Sequence, residues 1–308
     1  MKSSQFLINA KAIAWVTAGT ALFSLIFSSG KFADGMASTP QILFFRYIGG
    51  LATLLLIVWL RRERVSAYRS PRPLSHFMRA VFGASGGGAL IYASANMPIV
   101  DATAIGLLYV VFVIPLGVLV LKERVNWLHL AAIAICCTGA ATVMASRGAF
   151  TQFHSAYIFP AGIAVLGAAL LAVEGLMIKV LSHSDRAMTV LLHVNMFGIL
   201  LMAAPAIIQW APLSLKGVLS CILLGPLAVS AQYCIVQGYR LAPLTIVGPV
   251  DYTWLIFAGL IGFQFFGEQP TSGVIAGCAI ITAGGIMLAL IKSPSSEVEC
   301  MTPTSSQS

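Results

Sequence analysis

The chain has 308 residues, of which 58% are hydrophobic and only 9% charged, with a mean hydropathy of +0.91. A water-soluble domain carries roughly a quarter of its residues as charged groups, so this chain cannot face water on all sides, and a soluble class is excluded. The net charge of +8 then has to be explained by where the basic residues stand along the chain, without a nucleic-acid partner.

A membrane-crossing helix needs about 20 largely apolar residues, and about ten such runs follow one another here. They centre near Ala21, Ala52, Gly86, Val111, Ala134, Ala169, Gly198, Leu223, Ile256 and Ile281. The first follows Lys2 and Lys11 and lacks a small-residue cleavage site, so it reads as a retained helix. The second contains ILFFRYIGG (Ile42 to Gly50), with Arg46 about a third of the way along. Between the second and third lies the basic loop RRERVSAYRSPR, from Arg61 to Arg72. The third run carries GASGGGA (Gly83 to Ala89), whose spacing is not that of a dinucleotide fingerprint. Small residues there let helix backbones approach closely. The fourth run holds Tyr109, Phe112 and Pro115 and ends in VLKERV with Glu123; the ninth holds Pro249, Asp251, Tyr252 and Trp254 and ends in FFGEQP with Glu268. Pro115 and Pro249 are expected to kink or break their helices. The tail from Ser293 is rich in Ser, Thr and Pro and is expected to be disordered. Five of the six cysteines (Cys136, Cys137, Cys221, Cys234 and Cys278) lie in apolar runs and Cys300 in the tail; without CxxC spacing they read as packing residues.

With both ends cytoplasmic, fourteen of the eighteen basic residues fall on inside segments, Arg79 and Lys179 among them. Three (Lys31, Arg147 and Lys216) fall outside, and Arg46 lies within a span. Such an asymmetry orients a multi-pass protein.

Sliding the chain against itself by 145 residues superposes Glu123 on Glu268, Pro98 on Pro243, Phe112 on Phe257, Gly117 on Gly262 and Gly139 on Gly284. The matches fall on landmark residues, which points to an internal repeat. Each half has five spans, an odd number, so the halves are expected to be inverted about an axis in the membrane plane, with the two glutamates as corresponding helix ends.

The segments ASANMPIVDAT, LKERVNW and CCTGA of the first half, GYRLAPLTIVGPVDYTWLIFAGLIGFQFFGEQPTSG and TAGG of the second, and ILFFRYIGG resemble the EamA domains of the drug/metabolite transporter superfamily. The resemblance implies an all-α integral membrane fold of two inverted five-helix repeats, residues 12–146 and 155–292, followed by the tail 293–308. It implies a carrier of small organic metabolites in a bacterial inner membrane. Many members carry a proline about fourteen residues before each glutamate, where this chain has Tyr109 and Trp254.

A charge at mid-membrane costs about 2.5–3.5 kcal/mol on insertion scales, so Arg46, Glu174 and Asp251 each ask for a reason. Glu174 is a candidate proton carrier, with an Arg46–Glu174 ion pair as the structural alternative. Tyr109, Asp251, Tyr252, Trp254 and Asn195 are candidate substrate-binding residues, the aromatic ones as stacking surfaces for a flat or cationic molecule. His193 reads as a packing residue. The absence of a Walker motif excludes ATP hydrolysis in this chain. The leading reading is a secondary transporter driven by protons or exchange, with no cofactor or metal; an intramembrane enzyme or a membrane scaffold is the alternative.

Overall fold

The computed structural model describes residues 2–32, 38–97, 99–151, 154–267 and 269–291. Hydrocarbon offers no water to a peptide group, so each spanning segment must close its own hydrogen bonds, and these apolar runs do so as helices. The first half comprises α1 (Lys2–Phe32), α2 (Thr39–Leu60), α3 (Pro73–Asn96), a broken rod of α4 (Ile99–Gly106) and α5 (Tyr109–Leu121), and α6 (Trp127–Ser146). The second comprises α7 (Ile158–Ser184), α8 (Ala187–Ile208), α9 (Leu215–Leu241), a broken rod of α10 (Leu244–Val247), a 3-10 turn (Gly248–Tyr252) and α11 (Thr253–Phe266), and α12 (Ser272–Leu290). Among the described residues nine rods are long and apolar enough to cross a bilayer. The tenth, α3, has the length at 24 residues, but His76, Arg79 and the glycines Gly86 to Gly88 dilute its apolar content.

The two halves correspond element by element. In both, the fourth rod breaks at one level, after Gly106 and at Gly248–Tyr252. Pro249 lies in the second break, but Pro115 sits inside α5 and does not make the first. Both broken rods end on a residue in the left-handed region, Lys122 (φ 55°) and Gly267 (φ 66°). Both following helices start on a side-chain cap: Asn126 accepts from His129 N at 3.0 Å, and Thr271 from Val274 N at 3.4 Å. Lys122 and Gly267, Asn126 and Thr271, and His129 and Val274 are each 145 residues apart in the chain. Glu268 lies outside the described residues, as does the tail.

Packing across the repeat identifies the axis. Tyr252 Oη donates to Leu107 O at 3.4 Å, and Cys136 Sγ lies 3.9 Å from Ile281 O. Positions related by the repeat touch each other only where the relating axis passes between them. On α6 and α12 the contacts run antiparallel, Gly139 against Gly277 and Gly284 against Ala132. A twofold axis that exchanges two antiparallel helices lies across them, hence in the membrane plane. The remaining packing obeys the same operation: α1 lies on α9 as α7 lies on α3, and α1 on α11 as α7 on α5.

The corner between α9 and α10 is held by two charges from elsewhere. Lys179 Nζ, buried on α7, donates to Tyr239 O and Ala242 O, both at 2.6 Å, closing the carbonyl end of α9. Glu123 accepts from Leu244 N at 2.6 Å and Thr245 N at 2.9 Å, closing the amide end of α10. Both ends would otherwise expose peptide groups at the edge of hydrocarbon. The glutamate that ends the fourth apolar run is therefore a cap for the opposite half. Lys179 and Arg79, which the charge pattern assigns to cytoplasmic segments, are buried within the bundle on α7 and α3.

Two outcomes follow for stability. A Cβ on Gly277 would lie 2.8 Å from Gly139 O, whereas one on Gly285 would meet nothing within 4 Å. Gly277→Leu should therefore destabilise the protein by about 2–3 kcal/mol, while Gly285→Ala leaves detergent melting nearly unchanged. Glu123→Ala strands two backbone amides and should cost about 2–4 kcal/mol. Glu123→Gln keeps one acceptor and should lie between it and wild type in the same melting assay.

Candidate functional site

The break in the ninth rod places Asp251, half-buried, inside the span Leu244–Phe265. Its carboxylate collects hydroxyls from three other rods. Oδ2 accepts from Tyr109 Oη at the start of α5, and from Tyr239 Oη of α9 at 3.3 Å. Oδ1 stands 3.4 Å from Thr20 Oγ1 of α1. The Thr20 hydroxyl has a single proton, which already bonds Val16 O at 2.7 Å. That one proton is shared between Val16 O and the more distant Asp251 Oδ1.

Tyr239 leads to a second polar cluster. A Cβ on Gly175 would lie 4.0 Å from its hydroxyl oxygen, so the phenol lies over the turn of α7 that carries Glu174. The Glu174 carboxylate projects against α3 where Gly83 leaves room: a Cβ there would come within 2.7 Å of Glu174 Cδ. Its ion-pair partner is Arg79, with Nε 3.8 Å from Oε1. Arg79 is 1% exposed. Its Nε and Nη1 have no hydrogen-bond partner among the described residues. At 3.8 Å the pair has charge attraction without a formed hydrogen bond.

Among the described residues the ion pair within 4 Å of Glu174 is with Arg79 and not with the expected Arg46, because α7 packs on α3, whereas α2 packs on α8 and α9. Arg46 instead stands 5.0 Å over the ring of Tyr47. Among the expected site residues, Tyr109 and Asp251 are brought together. Trp254 sits one helical turn beyond Asp251 on the same rod, its carbonyl accepting from Ser24 Oγ at 3.5 Å.

Tyr252 is 3% exposed, with its hydroxyl at Leu107 O and 3.5 Å from Cys137 Sγ, in the seam between the halves and turned from the cluster. Asn195 is buried in the α2–α8 crossing, donating to Leu191 O at 2.8 Å with its amide oxygen against Gly50. His193 stacks on His76 at 4.4 Å, a packing role. Sequence reasoning missed Thr20, Tyr239 and Arg79. The signal for Arg79 was its place only four residues before the glycine run that accommodates its partner, inside a segment counted as loop.

A cavity of about 520 Å³ opens elsewhere, among α1, α2, α8, α9 and the stretch 61–68. None of its lining residues belongs to either cluster.

Comparison with known proteins gives a consistent picture. The model of the EamA-like transporter family matches residues 10–145 and 159–290, one match to each half. A riboflavin transporter of Rhizobium johnstonii is 29% identical over 80% of this chain and 79% of its own. The pseudopaline exporter CntI of Pseudomonas aeruginosa is 26% identical over 88% of this chain and 93% of its own. A probable terminal-alkyne amino-acid exporter of Streptantibioticus cattleyicolor is 26% identical over 71% and 75%. A solved crystal structure at 18% identity shares the fold, with a TM-score of 0.75 over 95% of this chain and 99% of that one.

Proposed function

Because the chain belongs to the EamA-like transporter family, we propose that this multi-pass membrane protein moves a small organic metabolite by alternating access, coupled to protons or to exchange. The observation that carries this reading is Asp251, a carboxylate at a helix break inside the bilayer, held by hydroxyls from rods of both halves. Broken rods at the interface of inverted repeats are where secondary transporters bind substrate.

In this reading Asp251, with Tyr109 and Tyr239 beside it, takes a cationic or hydrogen-bonding group of the substrate. Trp254, one turn on, supplies a stacking surface. Glu174 carries the coupling proton. While it is ionised, Arg79 is neutralised; once it is protonated, Arg79 is an uncompensated buried cation, which costs several kcal/mol. That penalty falls on the α3–α7 packing, and relieving it by rocking one half against the other couples the proton to the conformational change. The inner bacterial membrane is the proposed location, with both ends cytoplasmic on the strength of the basic-residue asymmetry.

Transport in proteoliposomes with a metabolite panel tests the mechanism. Asp251→Asn should abolish uptake of the transported compound. Glu174→Gln should abolish gradient-driven accumulation while the protein remains folded; normal transport by Glu174→Gln across the pH range would remove the proton role. Trp254→Ala should weaken substrate binding roughly tenfold and Trp254→Phe much less, with unimpaired affinity in both excluding the stacking surface. For topology, single cysteines at Ser66 and Lys122 should react with an impermeant reagent only from the cytoplasmic side, and one at Gln269 only from outside. Labelling of all three from one side would overturn the orientation.

A further inference from the structure

The cavity of about 520 Å³ has two unlike parts. Its floor is apolar, built from Ile57 of α2, Met188 and Leu191 of α8 and Val229 of α9. Its rim is cationic, and the cations come from helix ends on one face of the bundle. Arg61 is the C-cap of α2, Arg186 the N-cap of α8, and Arg240 lies in the last turn of α9. Arg240 is engaged, donating from Nη2 to Asp185 O at 3.1 Å. Arg61 and Arg186 are exposed, and among the described residues neither has an ion-pair partner. The rim also holds a carboxylate, Glu63, but it accepts from the Tyr68 hydroxyl. That bond raises the Tyr68 phenol above its ordinary range, while Arg61 and Arg186 pull it the other way. Both guanidiniums therefore bear on this rim. Trp15 and Tyr233, ring centroids 6.0 Å apart and edge to face, complete the wall.

We propose that this cavity is a binding site for an anionic phospholipid, with its phosphate on Arg61 and Arg186 and the start of an acyl chain along the Ile57–Met188–Leu191–Val229 floor. The level of the cavity is that of the headgroups, because it sits where three spanning helices start or stop. Tryptophan and tyrosine are enriched at that level. Guanidinium forks match phosphate oxygens in geometry as well as charge. A small soluble anion would use the rim and leave the apolar floor uncovered, whereas an amphiphile covers both. The lining comes from α1 and α2 of one half and α8 and α9 of the other, so an occupant ties the halves together at this face. Lipid composition thereby biases the equilibrium between conformations in which this face is closed or open.

The test uses the full-length protein, delipidated in detergent, with lipid retention followed by native mass spectrometry and melting. Phosphatidylglycerol should be retained and should raise the melting temperature; phosphatidylcholine and glycerol 3-phosphate should do neither. The double variant Arg61→Gln/Arg186→Gln should bind phosphatidylglycerol about tenfold or more weakly, with its lipid-free melting unchanged. Arg124→Gln, exposed elsewhere, should bind as wild type. Met188→Trp, which fills the floor without touching a charge, should also block the lipid, and it decides the matter if the double variant proves unstable. Equal binding of phosphatidylglycerol and phosphatidylcholine overturns the proposal, as does undiminished phosphatidylglycerol binding in the stable variants. Binding of glycerol 3-phosphate as tight as that of the lipid would assign the cavity to a soluble organophosphate instead.

Discussion

A peptide group left unpaired in hydrocarbon costs several kcal/mol, and this constraint shapes every unusual feature of the molecule. An unbroken helix satisfies it without help. This chain breaks a rod in each half, and the corner that leads into the second broken rod is closed by side chains brought from elsewhere. Lys179 takes the carbonyls that end α9, and Glu123 takes the amides that begin α10. Because Glu123 belongs to one half and α10 to the other, the capping that closes this corner also joins the repeats.

The same economy governs how the halves meet. Lipid is as apolar as a leucine side chain, so apolar burial does not drive spanning helices together, and close packing must. Glycines at the α6–α12 crossing bring backbones into contact on the pseudo-twofold axis, with Gly139 against Gly277 and Gly284 against Ala132. An axis lying in the membrane plane makes the two faces of the protein near-equivalent. A site on that axis can then be exposed to either side by the same small rotation in opposite senses, which is the geometric basis of alternating access.

Polar groups depart from the symmetry, and the departures are where chemistry is available. Asp251 has a glycine, Gly106, as its repeat mate, and Tyr109 is matched by Trp254. Asp251 is surrounded by hydroxyls that accept or donate according to its protonation. Arg79 and Glu174 face each other at a distance that gives attraction but no hydrogen bond. A pair so incompletely satisfied stabilises less than it costs to bury, which makes it a poor device for holding helices together.

Composition and hydropathy alone determined that this is a helical membrane protein, because no other backbone arrangement of such a sequence satisfies its peptide groups in lipid except a barrel, and the runs are too long for strands. The 145-residue repeat was legible because equivalent positions in an inverted fold must meet the same demands: a cap at Asn126 and Thr271, a glycine at Gly139 and Gly284. Asp251 and Tyr109 were readable as unusual residues at matching levels. What the sequence could not supply was partnership. It offered Arg46 for Glu174, since both are charges inside spans, and only the packing of α7 on α3 made Arg79 the partner. It offered Tyr252 and Asn195 as substrate-binding residues, and the rotation of their helices places one in the seam and the other in the α2–α8 crossing. It was silent on Thr20 and Tyr239, ordinary residues made important by converging on one carboxylate. Periodicity reports which residues lie in the membrane, but neighbours across helices far apart in sequence are set by tertiary packing, and a site built from separate rods exists only there.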